Sequence, residues 1–268
     1  MEQAKQFHEK DLERLRKFRL MDDDFMSKCF ENHVECTELV VHIVLNRNDL
    51  KIKQVHTQHQ IKNLQGRSIT MDIYATDEHG KQYNIEIQRV DRGAGAKRAR
   101  YNSSLMDANI TSPGDHYEEL AETYVIFITE NDVLGHNQGV YHIDRMIQET
   151  AEPFGDEAHI LYVNGAYQAD TPLGLLIRDF HCTNPDEMNY RLLADRARYF
   201  KEDEKGVATM CKMMEDMRKE AAKEADLEAR ISMAQNMLRD GKLSLEDIAK
   251  YSQLSLEEVK ELALRKNT

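Results

Sequence analysis

The sequence predicts an α/β protein, a mixed sheet with flanking helices, followed by an all-α C-terminal extension. Three observations predict it. Apolar and polar residues alternate on both sides of a turn at Asp77-Glu78-His79-Gly80. Two continuous apolar runs, Tyr124-Val125-Ile126-Phe127-Ile128 and His159-Ile160-Leu161-Tyr162-Val163, suit strands covered on both faces. Beyond Pro185 neither proline nor a strand pattern recurs, and charged residues dominate.

Taken in order, Asp22 to Asp24 lead into a helix over roughly 24–46. Val34, Val41 and Leu45 recur there at helical spacing, and Val40, Ile43 and Val44 widen the apolar face. Asn46 to Asp49 break it, and residues 50–57 form a short strand. In 67–75, Ile69, Met71 and Ile73 take one face, and Thr70, Asp72 and Tyr74 the other. After the turn, Tyr83, Ile85 and Ile87 alternate against Asn84, Glu86 and Gln88, which completes a hairpin. Gly93 and Gly95 precede a helix over about 96–109, and Pro113-Gly114 is a loop before the two apolar strands. The core order is therefore α-β-β-β-α-β. Residues 202–239 read as one long charged helix ended by Gly241. Two short helices follow, opened by Ser244 and Ser255 as caps with acids near the third position. The division is 1–200 for the α/β domain and 201–268 for the helical extension.

Hydrophobic residues make up 41% of the 268 and charged residues 31%, a balance that suits a modest core with well-solvated helices. No apolar run approaches the roughly 20 residues that cross a bilayer, and no signal segment follows the N-terminus, so a cytoplasmic protein is expected. The four scattered cysteines, without a Cys-x-x-Cys pair, read as free thiols rather than disulfides or a zinc site. A net charge of −12 argues against a protein that coats nucleic acid, but leaves room for a local basic surface beside an acidic site.

The hairpin carries the chemistry. A turn centred near His79 sets Asp72 almost opposite Glu86, with Cβ atoms roughly 5 Å apart on one face. Facing like charges are destabilising unless a cation lies between them, and Mg²⁺ commonly binds one or two carboxylates plus phosphate oxygens. Alone, such a pair reads as the solvated face of a hairpin; three neighbours argue for more. Gln88 shares the face of Glu86. Glu38 falls on the Val34/Val41/Leu45 stripe, where a carboxylate is costly unless paired or metal-bound, with Glu35 the off-stripe alternative. Arg89, Arg92, Lys97, Arg98 and Arg100 surround a single acid, Asp91, and two glycines, a patch suited to holding a phosphate backbone. Cations at a helix start oppose its dipole, which makes plain solvation a poorer account of that patch.

Asp72 followed by Glu86-Ile87-Gln88 resembles the (P)D…(D/E)xK signature of the restriction-endonuclease-like superfamily, and the predicted element order matches its core. Asp22-Asp23-Asp24-Phe25-Met26, Ile85-Glu86-Ile87-Gln88, Arg98-Ala99-Arg100-Tyr101 and the segment Tyr124 to Asp132 are together similar to the PD-(D/E)XK nuclease family transposases, or recombination-promoting nucleases. The segment His159 to Gly165 and the stretch from Arg198 to Glu202 extend the similarity over roughly 20–220. The resemblance implies a restriction-endonuclease-like mixed sheet and a metal-dependent endonuclease acting on DNA. It implies Mg²⁺, with Mn²⁺ as a substitute, on Asp72 and Glu86, and Glu38 as the helical acid. Gln88 stands where a lysine elsewhere positions or activates water, and a neutral amide can orient water without supplying charge. Met71 replaces the proline of the signature.

Arg98 and Tyr101 lie one turn apart and read equally as a phosphate contact or a helix-surface pair. His56 and His59 have metal-ligand spacing but no third ligand, Ser103-Ser104 lacks the context of a nucleophile, and no nucleotide-cradling glycine motif or other small-molecule cofactor site occurs. The 244–259 segment resembles part of a helix-turn-helix, but Glu257, Glu258 and Glu261 on its second helix favour a helical cap or homo-oligomer contact over DNA reading. The alternative to an endonuclease is a catalytically inactive nuclease-fold module that binds DNA or protein. A strand-transfer transposase, which needs a third acid at long spacing, ranks last.

Overall fold

The computed structural model describes residues 2–63 and 66–265. The chain divides into two compact units, 1–207 and 208–268.

The first unit opens with α1 (Glu2–Arg16), α2 (Asp23–Phe30) and α3 (Val34–Leu45). The single helix expected over 24–46 is thus two helices. The break lies at the polar run Glu31-Asn32-His33, where Asn32 takes a left-handed φ of 55°, a conformation asparagine tolerates better than most residues. Turning there lets Phe25, Met26, Cys29 and Phe30 of α2 and Cys36, Val40, Val41 and Val44 of α3 all reach the core.

Strands β1 (Ile52–Ile61), β2 (Ile69–Asp77) and β3 (Gln82–Gln88) form an antiparallel meander. Helix α4 (Ala96–Ile110) then carries the chain across to β4 (Thr123–Thr129), which pairs parallel with β3. β5 (Val140–Ile143), the small β6 (Met146–Ile147) and β7 (Glu152–Pro153) hairpin, and β8 (Ala158–Asn164) follow. The main sheet has the order β1-β2-β3-β4-β8-β5, with β4 and β8 parallel and β5 antiparallel on the far edge. This is a restriction-endonuclease-like α/β architecture with a mixed sheet.

Every residue of β4 is buried, as its unbroken apolar run predicts. α4 packs on β4 and β8, and Ala94, Ala99, Leu105 and Met106 join Val125, Phe127 and Tyr162 in one cluster. α2 and α3 pack against β1, with α5 (Pro172–His181) and α6 (Arg191–Glu202) behind α3. Among these, α1, α5, α6 and β5 to β7 were not foreseen from sequence. α5 carries a start signal all the same: Thr171 Oγ1 accepts the Gly174 N–H at 3.2 Å, and Pro172 sits at the first helical position.

α7 (Glu204–Asp240) runs from the end of the first unit into the second. There α8 (Leu245–Ser252) and α9 (Leu256–Arg265) enclose a small core of Ala234, Ile248, Leu254 and Val259. Both serine caps form: Ser244 Oγ accepts the Asp247 N–H at 3.1 Å, and Ser255 Oγ the Glu258 N–H at 3.2 Å. Glu258 returns the bond by accepting the Ser255 N–H at 2.8 Å, a complete capping box. Among the described residues no helix is long and apolar enough to cross a membrane.

Candidate active site

The register Ile73↔Ile85, Tyr74↔Asn84 and Thr76↔Gln82, continued by one residue, sets Asp72 opposite Glu86 as the turn position predicted. At this point the ladder opens. The Ile87 N–H donates to Asp72 Oδ2 at 2.7 Å instead of continuing the backbone pairing. Asp72 is 8% exposed and Glu86 is fully buried. The pair is therefore withdrawn from solvent rather than lying on a wet hairpin face.

Arg98, in the first turn of α4, answers Glu86. Its Nη2 donates to Glu86 Oε2 at 2.8 Å, and its Nη1 to Gln88 Oε1 at 3.3 Å and to the Gly93 carbonyl at 3.1 Å, while the guanidinium lies over the Phe127 ring. Gly93 leaves room for this arrangement: a Cβ there would come within 1.9 Å of Gln88 Oε1 and push the amide aside. Glu86 Oε1 remains without a hydrogen-bond partner among the described residues. Asn84, fully buried on the same strand, stands near enough to favour the charged form of Glu86, and its own Oδ1 and Nδ2 also lack close partners among the described residues, so the unmet polar atoms here belong to Glu86 and Asn84 together.

A third carboxylate lies near enough for both to feel its charge. Asp23, in the first turn of α2, raises the proton affinity of both Asp72 and Glu86 by its charge. It is held by Gln58, whose Nε2 donates to Asp23 Oδ1 and to Ser27 Oγ, both at 2.9 Å. Gln58 lies inside β1 level with Asp72, yet has a φ of 51°, the left-handed region that a non-glycine residue rarely occupies within a strand. Sequence reasoning missed both residues. Asp23 reads as one of three helix-start acids, and the kink at Gln58 has no pattern of its own.

Burial, then the charges of Glu86 and Asp23, push the Asp72 carboxyl up to about 8, against the pull of the Ile87 N–H and Arg98. Burial likewise raises Glu86, with Arg98 opposing. The Asp72 carboxyl therefore keeps its proton at neutral pH, where an ordinary aspartate is ionised.

Glu38 is not part of this site. Its Oε2 accepts the Ile52 N–H at 2.9 Å, at the head of β1. Ile52 is level with Asp77, five residues along β2 from Asp72 and so about 17 Å away. The position on the apolar stripe reflects a backbone N–H answered by a side chain, not a ligand. Glu38→Ala should leave nuclease activity at the wild-type level while costing about 1–2 kcal/mol of stability, read by urea unfolding beside a cleavage assay. Lost activity in a folded variant would return Glu38 to the site.

The basic residues separate. Arg89 is paired with Asp22 at 2.7 Å, within a network where Arg19 meets Glu130 at 2.9 Å. Lys97 and Arg100 are exposed on α4. The side chain of Arg92 lies outside the described residues. Tyr101 is committed elsewhere: its hydroxyl donates to the Arg67 carbonyl and accepts from Asn63 Nδ2 at 3.1 Å, so it ties the turn after β1 to α4.

The family model for PD-(D/E)XK nuclease family transposases matches residues 9–166, more than half of the chain and all of the site just described. The chain belongs to this family. No curated protein and no solved structure matches it. As a PD-(D/E)XK nuclease family transposase it falls among nucleases related to mobile elements, which generally depend on a divalent metal and have DNA as substrate. The donor set fits such an ion. Among the described residues no three His, Cys, Asp or Glu side chains gather to hold a metal unaided. Two hard carboxylates and one orphaned oxygen still suffice for an ion that keeps waters and takes substrate phosphate oxygens.

Proposed function

We propose that the chain is a Mg²⁺-dependent endodeoxyribonuclease, with Mn²⁺ able to replace Mg²⁺, that hydrolyses phosphodiester bonds in DNA recombination or mobile-element turnover. The observation that carries this reading is the buried Asp72/Glu86 pair with Glu86 Oε1 unpartnered. Asp72 and Glu86 would hold the ion, and Asp23 takes the helical-acid role in place of Glu38. Bound there, the ion supplies Lewis acidity and lowers the pKa of water near it.

The remaining work falls to the chain's own groups. Hydrolysis adds a water oxygen to phosphorus, breaks the bond to one sugar oxygen, and moves a proton of the water through solvent to that leaving oxygen, which departs as a hydroxyl. Asp72 and Glu86 must be ionised before that, and Arg98 favours the charged form of Glu86. Gln88 accepts from Arg98 at Oε1, an arrangement that turns its amide N–H₂ to the task of orienting water. The exposed Lys97 and Arg100 are suited to the phosphates on either side.

A second reading, a retired nuclease fold that binds DNA or protein, is favoured by one observation: Arg98 already occupies Glu86 Oε2. The test is cleavage of supercoiled plasmid and single-stranded DNA by wild type and Asp72→Asn, with Mg²⁺, Mn²⁺ or EDTA. Metal-dependent cutting that Asp72→Asn abolishes supports the nuclease. Absence of cutting by folded wild type at every metal concentration supports the retired module.

A further inference from the structure

Beside Arg98, a groove of about 1000 Å³ runs between the stretch from Gly66 to Thr70 and the first half of α4. Its lining includes Arg67, Ser68, Thr70, Lys97, Arg98 and Asn102. We propose that this groove seats one unpaired nucleotide of the DNA strand, next to the phosphodiester that is cut; the inference rests on the nuclease reading above.

Four observations carry it. Arg67 and Lys97 are exposed, and neither forms an ion pair among the described residues, unlike Arg89 and Arg98. α4 begins with no acidic residue in its first turn and no side-chain cap, so its leading N–H groups and Lys97 face the same unmet demand for an anion. Asn102 belongs to the lining, is 2% exposed, and its Oδ1 has no partner among the described residues. A buried amide oxygen left so is an acceptor that awaits a donor, and the amino edge of adenine is the base edge a carboxamide pairs with best. Finally, the Tyr101 hydroxyl fastens the Arg67 carbonyl, so Arg67 is held at the rim, and Tyr101 itself belongs to the lining. Cationic rim, aromatic lining and a buried acceptor are the elements by which single strands are held.

The test measures binding of fluorescent oligo(dA), and of an abasic oligomer of equal length, to full-length protein carrying Asp72→Asn so that nothing is cut. Adding Arg67→Ala with Lys97→Ala should weaken both ligands about tenfold and flatten the salt dependence. Adding Asn102→Leu should weaken oligo(dA) about tenfold and leave the abasic oligomer unchanged. Both rim residues are exposed, so their variants test the groove even where Asn102→Leu unfolds the chain. Unchanged affinity in the rim variants overturns the proposal, as does equal loss for both ligands in folded Asn102→Leu. Plasmid cleavage by wild type separates the two readings. If it cuts with Mg²⁺ while the rim variants bind like the parent, the groove alone fails. If it cuts under none of the metals yet the rim variants bind more weakly, the nuclease reading fails and the groove remains only a seat for a single strand.

Discussion

Asp72→Asn is expected to abolish cutting and, without metal, to make the protein more stable than wild type in mildly alkaline buffer. The sign follows from the raised carboxyl. In the unfolded chain Asp72 loses its proton near its ordinary value of 3.8, whereas in the fold it holds it until about 8. Between those values the folded state binds more protons than the unfolded state, so stability falls as pH rises. The contribution is complete below the unfolded value and lost through the folded one. Asparagine keeps the shape and still accepts the Ile87 N–H, but carries no charge to bury. The variant should therefore match wild type near pH 4 and exceed it by on the order of 2 kcal/mol near pH 8, a melting-temperature gain of about 5 °C. Mg²⁺ should then reverse the order, because an ion that binds only the folded wild type stabilises only wild type. Cleavage should drop by about a thousandfold, the loss expected when several kcal/mol of metal-derived stabilisation disappear. Thermal unfolding in EDTA at both pH values is the measurement. A gap that does not widen with pH would mean that Asp72 is already ionised in the metal-free fold.

This instability has a functional logic. The two carboxylates interrupt strands that otherwise bury well, and Arg98 offsets the cost of facing them at Glu86 alone, so a bound divalent cation is expected to relieve the rest. Their affinity for metal should rise with pH, since the ion must displace protons.

Legibility from sequence followed the range of the forces involved. Asp72 and Glu86 were readable because a hairpin register depends on local facts: the alternation Ile69/Met71/Ile73 against Tyr83/Ile85/Ile87, and Gly80, whose φ of 85° suits the turn between them. β4 and β8 were readable because a strand covered on both faces has no polar alternation to blur it. Glu38 misled because a carboxylate on an apolar stripe looks the same whether it holds a metal or a distant N–H, and only the packing of α3 on β1 distinguishes them. Asp23 was hidden for the converse reason. Its approach to Asp72 depends on Gln58, a contact across 35 residues and through a backbone kink. β5 to β7 are short and largely exposed, so no periodicity marks them. The basic stretch from Arg89 to Arg100 was read as one phosphate surface, yet folding spends Arg89 on Asp22 and Arg98 on Glu86.

Arg98→Ala is expected to lower cleavage about a hundredfold, and the loss should be partly recovered by Gln88→Lys in the same chain. The guanidinium is the cation at the carboxylate pair, and it bridges Glu86 and Gln88 at 2.8 and 3.3 Å. Gln88 cannot supply charge, so Arg98 does so from α4. Its removal leaves Glu86 fully buried against Asp72 and Asp23 without a counter-charge, and holds Glu86 protonated to higher pH. One fixed charge or donor at a reacting phosphate is worth roughly a hundredfold. Stability should fall by only about 1–2 kcal/mol, less than for a fully buried pair, because Arg98 is 43% exposed and Glu86 can take a proton instead. Lysine at position 88 would start from the strand that carries Glu86 and place an ammonium where Arg98 now reaches. If the charge is what matters, Arg98→Ala with Gln88→Lys should cut at least about tenfold faster than Arg98→Ala alone, chiefly through kcat. If instead Arg98 mainly grips DNA, the single variant should show a raised KM with kcat nearly intact, and the lysine should not help. The kcat-against-KM split of the two variants at saturating Mg²⁺ decides between a charge that serves the chemistry and one that serves binding.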